Sequence, residues 1–498
     1  MLPIADAQSF LLSAVEFLAA LFIFVIGLGA LLVVVFYLLD VSQHRHAIRR
    51  NFPVIGRFRY GFERLGEFFR QYFFAMDREE LPFNRAQRSW VYRAAKNVDN
   101  TVPFGSTRDL RVPGTVMFVN HPFPTLDEDA VAPGRMTIGC DCALPYETDA
   151  LFCISGMSYG AISRPAVLAL AHGARNAGIW LNTGEGGLSP FHLEGGCDLV
   201  FQMGTAKNGV RDLAGHLDDD KLREVAAHPA VRMFEVKLSQ GAKPGKGGIL
   251  PAAKVSAEIA RIRNVPPGRD AISPNRHTDV RNNLELLQLI ARVRAITGKP
   301  VGFKSVISDG AWLDALFHEI RLQGYASAPD FITVDSAEGG TGAAPQALID
   351  DVGLPLRESL PLLVDKLWEH GLRERIKVIA SGKLVTPADV AWALCMGADI
   401  CVSARGFMFA LGCIQALQCN RNTCPTGITT HDPRLQAGLA PEDKQLRVAN
   451  YARNMVHEVG VIAHACGVRE PRELRRQHAR IVMPDGMSRR LDSIYPVR

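Results

Sequence analysis

Residues 377–406 read KVIASGKLVTPADVAWALCMGADICVSARG, an alternation of strand-like and helix-like segments. Two short β-favouring runs, Val378–Ser381 and Ile400–Ser403, are each followed by small or charged residues, and an Ala-rich helical stretch lies between them. A buried strand, a turn and a helix that returns to the next strand form one unit of a parallel sheet. The stretch therefore predicts consecutive βα units.

Six more runs of the same kind come earlier in the chain. They are Leu151–Ser155, Ile179–Thr183, Leu199–Met203, Met233–Leu238, Val301–Val306 and Phe331–Asp335. Eight βα units over roughly 270 residues match a TIM barrel. The alternative is a doubly wound open sheet, but no early strand is followed by G-x-G-x-x-G. We predict an α/β fold, a (β/α)8 TIM barrel over residues 151–430.

Composition limits the class of protein. The chain has 498 residues, 47% of them hydrophobic, and a formal net charge of +5 without a dense basic block, so we expect no nucleic-acid partner. Its ten cysteines do not form a pattern typical of a disulfide framework. We therefore expect the main domain to face a reducing compartment.

The N-terminus predicts a transmembrane anchor over residues 1–40. Phe17–Leu39 is an uninterrupted apolar run of 23 residues, long enough to cross a bilayer, and the first 40 residues contain no Lys or Arg. A buried core helix is the alternative. Residues 41–70 carry seven arginines, one of them Arg45, against Glu63 and Glu67. By the positive-inside rule we expect a single pass through the inner (cytoplasmic) membrane with the catalytic domain in the cytoplasm.

The flanks of the barrel are predicted from weaker patterns. Phe58, Phe62, Leu65 and Phe69 recur at helical spacing, which indicates an amphipathic helix that lies on the membrane or, alternatively, packs against protein. We assign residues 41–150 to this juxtamembrane helix and an extended wrapping arm. Residues 431–498 are expected to form a C-terminal helical extension.

Three cysteines predict a metal centre. Cys413, Cys419 and Cys424 follow the pattern C-x5-C-x4-C, and Pro425 comes directly after the last, which suits a thiolate-ligated iron-sulfur cluster. Three buried thiols, or a zinc site completed by His431, are the alternatives. Cys140 and Cys142 form a C-x-C pair that we leave unassigned.

The loops after strands seven and eight suit a phosphate. They read Ala-Ser-Gly-Lys at 380–383 and Ser-Ala-Arg-Gly at 403–406, with small residues for close backbone approach and with Lys383 and Arg405 for charge. Ordinary βα turns also favour such residues. Lys304, inside an apolar strand, must project into the mouth or pair with a neighbouring strand; a flavin edge that becomes anionic on reduction would satisfy it.

Charged side chains also end strands two and four. Glu185 follows strand two in a glycine-rich loop, and Lys237, Gln240 and Lys243 follow strand four. A solvated loop explains each alone. Because strand C-terminal ends converge at a barrel mouth, we predict a pocket for an anionic substrate, with Glu185 handling protons.

Several ordered motifs resemble the synthase domain of glutamate synthase and the stand-alone, membrane-attached members of the FMN-binding glutamate synthase family. The motifs are residues 157–163 (MSYGAIS), 182–187 (NTGEGG), 240–245 (QGAKPG), 339–343 (GGTGA) and the three cysteines with Pro425. The resemblance covers about residues 150–430. It implies FMN in the barrel and a [3Fe-4S] cluster on Cys413, Cys419 and Cys424.

The resemblance also implies residue roles. FMN would contact Met157, Ser158, Thr183, Lys304, Gly339, Gly340, Gly382, Lys383, Ala404 and Arg405. Lys237, Gln240 and Lys243 would bind 2-oxoglutarate beside Glu185. In the implied reaction, ammonia condenses with the 2-oxo acid, and reduced FMN delivers hydride to the imine carbon to give L-glutamate.

The sequence departs from the family pattern at several points. Lys207-Asn208-Gly209 stands where Arg-Phe-Gly is expected, residues 275–278 read Asn-Arg-His-Thr instead of Pro-Pro-His-His, and Lys383, Ala404 and Arg405 replace two phosphate-loop glycines and a threonine. An alternative substrate is therefore a different amino or N-alkylamino acid. A third hypothesis is a non-catalytic, membrane-tethered metal-binding scaffold.

The sequence leads us to expect neither a glutamine-hydrolysing domain nor a nicotinamide-binding domain in this chain. Ammonia would then be free or supplied by a separate amidotransferase. Electrons would come from ferredoxin or a membrane carrier.

Overall fold

A computed structural model describes residues 4–43 and 46–496. These divide into two compact units, Met1–Ala86 and Gln87–Arg498. The predicted boundaries at residues 40, 150 and 430 are different divisions, based on sequence texture, and stay predictions. Each unit is described by itself.

The first unit is helical. Its helices are Ile4–Ser42, Ala47–Asn51 and Ile55–Phe69, followed by a π-helical turn at Arg70–Phe74. Within the described residues, one helical segment, Phe10–Ser42, is long and apolar enough to cross a membrane. The helix predicted around Phe58, Phe62 and Leu65 forms, and these three side chains are exposed. Arg45 and the side chain of Glu67 lie outside the part of the chain that the structure describes.

The second unit contains a closed barrel of eight parallel strands. In chain order they are β1 (Phe152–Ile154), β2 (Leu181–Asn182), β3 (Leu199–Met203), β4 (Val231–Lys237), β5 (Val301–Val306), β6 (Phe331–Asp335), β7 (Lys377–Ser381) and β8 (Ile400–Ser403). Each strand pairs with the next, and β8 pairs with β1 through Cys401 opposite Phe152. The predicted (β/α)8 barrel is confirmed.

Helices cover the outside of the barrel. Those that lead from one strand to the next, together with the helix after β8, are Arg164–Ala177, Pro190–Glu194, Asp219–Ala227, Asn283–Thr297, Gly310–Gln323, Leu356–Glu369, Pro387–Cys395 and Arg405–Leu411. Their starts follow local chemistry: Ser163 caps the first by accepting from the backbone N–H of Ala166, and Gly178 ends it at a φ of +69°. Shorter helices are Ala257–Arg263, Gln346–Asp351, Pro433–Gln436 and Leu491–Ile494.

Small sheets flank the barrel. Val116–Phe118 pairs with Ala479–Val482, which pairs with Ser488–Arg490. Met136–Ile138 pairs with Tyr146–Thr148, and Ile249–Leu250 pairs with Ala271–Ile272 in the long connection between β4 and β5. The predicted extended arm thus contains short strands, and it also contains a helix, Arg85–Ala95, that sequence analysis did not predict.

A long C-terminal helix completes the outer layer. Pro441–Ala465 packs along the helix Arg164–Ala177 so closely that a Cβ on Gly173 would lie 2.5 Å from Val448. The fully buried Tyr451 donates to the carbonyl oxygen of Val385 at 3.0 Å. The helix therefore joins the first and last βα units.

Candidate active site

Four side chains predicted to bind substrate lie together at the mouth of the barrel. Lys237 Nζ lies 3.0 Å from Glu185 Oε2 and also donates to Gln240 Oε1. Gln240 Nε2 donates to the carbonyl oxygen of Gly340 at 3.3 Å. Lys243 is buried and interacts electrostatically with Glu185. The cluster therefore presents two cations, one carboxylate and one amide to the same space.

The Glu185 carboxylate is held in its charged form. Burial alone would raise its pKa, but the positive charges of Lys237, Lys243 and Arg263 lower that pKa below its usual value. Burial lowers the pKa of Lys243, and the charge of Glu185 acts in the opposite direction. Glu185 is therefore a deprotonated base that lies among cations.

Two glycines make room for this carboxylate. A Cβ on Gly248 would lie 2.4 Å from Glu185 Oε1, and one on Gly204 would lie 2.6 Å from Glu185 Cβ. Gly248 belongs to the long loop between β4 and β5, and Gly204 directly follows β3. The sequence placed Gly248 in a predicted functional loop at the mouth, but it did not single out Gly204 or predict either contact with Glu185, because the contacts join segments that are distant in the chain.

A buried histidine lies beside the cluster, in the segment 275–278 that sequence analysis connected with the choice of substrate. His277 shares its Nε2 hydrogen with the carbonyl oxygen of Lys237 at 3.0 Å, while its buried Nδ1 has no hydrogen-bond partner among the described residues. Burial, and next the charge of Lys207, lowers the His277 pKa to about 4. Lys207 is fully buried and lies 2.7 Å from Asp279 Oδ1. The two segments that depart from the family pattern, 207–209 and 275–278, therefore meet beside Lys237.

Lys304 is buried and pairs with its neighbouring strand. Its Nζ lies 3.3 Å from Asp335 Oδ2, at the end of β6. Asp335 also accepts from the backbone N–H of Gly241 and from Ser381 Oγ, both at 2.9 Å. The alternative of an ion pair with a neighbouring strand is therefore observed. Asp335 was missed, although a carboxylate at a strand end opposite a buried lysine was a usable signal.

A second buried carboxylate organises the barrel interior. Glu235 accepts from Asn182 Nδ2 at 2.9 Å, Gln202 Nε2 at 2.6 Å and Thr333 Oγ1 at 2.6 Å. Asn182 Oδ1 in turn accepts the backbone N–H of Gly184, in the loop that carries Glu185. A small cavity of about 10 Å³, lined in part by Glu235 and Lys304, lies here. Asn182 therefore connects the buried Glu235 network to the loop that carries Glu185 at the mouth of the barrel.

The predicted phosphate loops form a glycine-lined cradle. Gly382 has a φ of +139°, and a Cβ there would lie 2.1 Å from Ser336 Oγ, a buried hydroxyl without a partner among the described residues. Lys383 Nζ lies 3.7 Å from Glu338, and Arg405 donates to the carbonyl oxygen of that residue. Burial lowers the pKa of Arg405 to about 10. Both predicted phosphate cations therefore converge on Glu338.

The other predicted flavin contacts line the same opening. The backbone N–H of Met157 donates to the carbonyl oxygen of Asn182 at 3.0 Å, which joins the loop after β1 to that after β2. Ser158 accepts two backbone hydrogen bonds in a tight turn, and Thr183 Oγ1 donates to Gly184 at 3.1 Å. Ser158 and Thr183, both predicted to contact the flavin, therefore form hydrogen bonds within their own loops.

Three further predicted contacts come from later loops. The backbone N–H of Gly339 donates to the carbonyl oxygen of Ser336 at 2.9 Å, and Gly340 accepts from Gln240. Ala404 precedes the helix that begins at Arg405. The loop after β6, which carries Gly340, therefore contacts the predicted substrate residues through Gln240.

The three predicted metal-binding cysteines lie near one another in the segment after the helix Arg405–Leu411. The charges of Cys419 and Cys424 act on Cys413, and Tyr92 donates to the Cys413 carbonyl oxygen at 2.6 Å. Within residues 4–43 and 46–496, no three or more His, Cys, Asp or Glu side chains form a group that could hold a metal ion. His431, the fourth ligand of the zinc alternative, engages its Nε2 with the carbonyl oxygen of Gly160 at 2.8 Å.

The cysteine environments differ. Burial raises the pKa of Cys413 to about 12 and also raises the pKa of Cys419. Burial would likewise raise the pKa of Cys424, but hydrogen bonds from Thr426 and Thr429 hold it below its usual value. The sulfurs of Cys413 and Cys424 lie 3.4 Å from the backbone nitrogen of Gln415 and from Thr426 Oγ1, respectively. At Cys424 these donors outweigh burial and stabilise the thiolate, whereas at Cys413 burial outweighs the Gln415 N–H.

Acid should destabilise the protein through two buried histidines. His192 and His277 have pKa values lowered to about 4, mainly by burial, from an ordinary value of 6.5. Since the unfolded chain binds a proton more readily, their stability contribution is complete above pH 6.5 and is lost as the pH falls toward 4, each by about 1.4 kcal/mol per pH unit. We expect the thermal midpoint to fall between pH 7 and 5.

The variant His192→Gln separates this contribution from that of the carboxylates. It should show a shallower fall of the midpoint with pH than the unaltered protein. Equal slopes would contradict the assignment.

The chain is similar to known proteins over the residues that build this site. The family model described as the conserved region in glutamate synthase matches residues 127–469. The glutamate synthase large subunit-like protein YerD of Bacillus subtilis is 38% identical over 95% of this chain and 98% of its own length. The archaeal-type glutamate synthase (NADPH) of Thermotoga maritima is 34% identical over 70% of this chain, which spans 65% of that protein.

Solved structures give a more distant likeness. The flavin-binding domain of baker's yeast flavocytochrome b2 aligns with a TM-score of 0.45 at 14% identity, over 79% of this chain and 78% of that one.

Proposed function

Because the chain belongs to the family defined by the conserved region in glutamate synthase, we propose that it is an FMN-dependent oxidoreductase of the glutamate synthase type. The proposed reaction is reductive amination of 2-oxoglutarate to L-glutamate with ammonia. The observation that carries the proposal is the Glu185, Lys237, Gln240 and Lys243 cluster at the mouth of the confirmed barrel. A scaffold without chemistry gains nothing from cations gathered at this opening.

The residues at the mouth fit FMN. A glycine cradle at Gly382, the unpartnered Ser336 hydroxyl beside it, and the cations of Lys383 and Arg405 provide the small surface, donor and charge that a phosphate needs. Lys304 would lie at the flavin ring, where its positive charge would stabilise the negative charge that develops when the flavin is reduced. When bound, FMN supplies the hydride.

The substrate cluster suits a dicarboxylate. Lys237 and Lys243 would bind the carboxylates of 2-oxoglutarate, and Gln240 would orient the 2-oxo group. Glu185, kept deprotonated by these cations, would take a proton from the substrate nitrogen once ammonia has added to the carbonyl carbon, where that N–H is most acidic. The chain's own residues therefore supply charge, orientation and a base.

We further propose that Cys413, Cys419 and Cys424 hold a [3Fe-4S] cluster. Support comes from their thiol chemistry, from their closeness to one another and from the hydrogen-bond donors around Cys413 and Cys424. A centre of this kind accepts single electrons, so the external donor would be a one-electron carrier such as ferredoxin or a membrane carrier. Ammonia would be free or supplied by a separate amidotransferase.

A membrane location is proposed on the first unit. The apolar helix segment Phe10–Ser42 is long enough to span a bilayer, and arginines dominate the segment that follows it. The exposed apolar side chains of Phe58, Phe62 and Leu65 suit contact with lipid. We propose a single pass through the inner membrane with the barrel in the cytoplasm.

An anaerobic visible spectrum of the detergent-purified protein tests the reaction. After reduction, addition of 2-oxoglutarate with ammonium should restore the oxidised flavin bands and form glutamate. A flavin that stays reduced would exclude this substrate and favour a different amino or N-alkylamino acid, which the altered segments 207–209 and 275–278 would accommodate. A protein without flavin that contains zinc would disprove the redox function.

Gly248→Ala should reduce the rate of glutamate formation without unfolding the protein. The new Cβ would lie 2.4 Å from Glu185 Oε1, and because that atom ends a flexible side chain, the carboxylate moves rather than the backbone. Misplacement of a base by about 1 Å costs on the order of 100-fold in rate. Gly438→Ala, where the Cβ meets nothing within 4 Å, is the control. Equal rates in the two variants would disprove the role of Glu185.

A further inference from the structure

Lys254 is a buried lysine that the proposed function does not use. It is 3% exposed and is the last residue of the short turn Ala252–Lys254 in the long connection between β4 and β5. Its Nζ donates to the carbonyl oxygens of Thr429 at 2.6 Å, Cys419 at 2.8 Å and Ala161 at 3.4 Å. Three acceptors for three N–H bonds are the requirement of an ammonium group.

The charge of this ammonium is not balanced by a carboxylate. Among the described residues, no Asp or Glu oxygen lies within 4.0 Å of Lys254, and the charges that act on it come from Cys419 and Cys424. A buried cation without an anion is costly. An anion in the cysteine segment would therefore balance a charge that three carbonyl oxygens only solvate.

Lys254 also joins two loops. Ala161 belongs to the loop after β1 that carries Met157 and Ser158, and Cys419 and Thr429 belong to the cysteine segment. Two further contacts join the same segments: His431 with the carbonyl oxygen of Gly160 at 2.8 Å, and the backbone N–H of Ser163 with Ile428 at 2.8 Å. The ammonium thus lies between the proposed flavin loop and the proposed cluster ligands.

We propose that Lys254 is the counter-ion of the iron-sulfur cluster and raises its reduction potential. This inference rests on the proposed cluster. A thiolate-ligated cluster gains one negative charge when it accepts an electron, and a fixed cation in a poorly hydrated site stabilises that reduced form. The same cation contributes to holding the flavin loop against the cluster segment.

The test is the reduction potential of the cluster in Lys254→Met, measured by dye-mediated titration with electron paramagnetic resonance detection. Removal of the charge should lower the equilibrium constant for one-electron reduction about tenfold, which corresponds to about 59 mV. Lys254→Arg, which keeps the charge, should restore most of the potential. A residue that only fills space would give no such difference between the two variants.

Lys299→Met is a matched control. Lys299 is also a buried lysine that donates to backbone carbonyl oxygens, those of Ala226, His228 and Val231, but it lies at the opposite end of the barrel, just before β5. It should leave the potential unchanged while losing a comparable set of hydrogen bonds. An equal shift in both Met variants, or none in Lys254→Met, would overturn the inference.

Iron analysis separates failure of the inference from failure of the proposed cluster. An unaltered protein without iron would disprove both. An unaltered protein with iron, whose Lys254→Met and Lys254→Gln variants both lack it, would overturn the tuning role and show that the ammonium is needed for assembly. Iron retained with a lowered potential supports the inference.

Discussion

Cys424→Ser should lose iron and acid-labile sulfide while keeping the flavin. Serine replaces the one cysteine of the three whose pKa is held low by its neighbours, Thr426 and Thr429, and a hydroxyl is a poor ligand for iron in such a cluster. Loss of an outer-shell partner alone costs 10–100-fold in metal affinity, so loss of a ligand should cost more than about 100-fold. Reduction of the flavin by a one-electron donor should slow in proportion to the iron lost.

The matched control for this variant is Cys466→Ser. Cys466 is also a free, buried cysteine, and burial raises its pKa to about 11, but it lies at the end of the helix Pro441–Ala465, outside the cysteine segment. Iron content and flavin reduction should not change in the control. If Cys424→Ser keeps its iron, or the unaltered protein contains none, the three cysteines are ordinary buried thiols.

Lys237→Met should reduce glutamate formation by about 100-fold or more, the range found when one charge-stabilising donor is removed from an active site. Lys237 lies 3.0 Å from Glu185 and donates to Gln240, so its loss removes a substrate cation and frees both neighbours. Burial then acts on the Glu185 pKa with less opposition and raises it. The acid limb of the pH–rate profile should therefore move to higher pH.

A double-mutant cycle with Glu185→Gln shows whether the two residues act together. If they form one unit, the double variant should be hardly slower than either single variant. Fully additive losses would contradict the shared role. Lys366→Met is the control for loss of a lysine ion pair, since Lys366 pairs with Asp314 at 2.9 Å on the outer helices and not at the mouth.

The barrel was predictable because its strands are continuous apolar runs, the pattern of a parallel sheet covered on both faces. The predicted Leu199–Met203, Val301–Val306 and Phe331–Asp335 have the bounds of β3, β5 and β6. The helix Arg85–Ala95 was missed because its buried face consists mainly of small side chains, Val91, Ala94 and Ala95, and of the stem of Arg88. Such a face gives a weak apolar period.

The site was predictable where chemistry follows a strand end directly. Lys237 and Glu185 are of this kind, and the structure brings them together. Gly204 and Asp335 were missed because their roles depend on contacts between segments far apart in the chain. The roles of the predicted flavin, substrate and cluster residues stay predictions until the variants above are measured, whereas the family resemblance is confirmed.

The pairing of β1 with β8 has a consequence for synthesis. Cys401 and Phe152 are about 250 residues apart, so at 5–20 residues per second the edge of β1 leaves the ribosome roughly 12–50 s before its partner exists. During that interval the unpaired strand edge can associate with other chains. The apolar N-terminal helix emerges long before this closure. If this helix is the proposed membrane anchor, delivery of the ribosome to the membrane precedes folding of the barrel. A chaperone that shields nascent strands should increase the yield of the closed form.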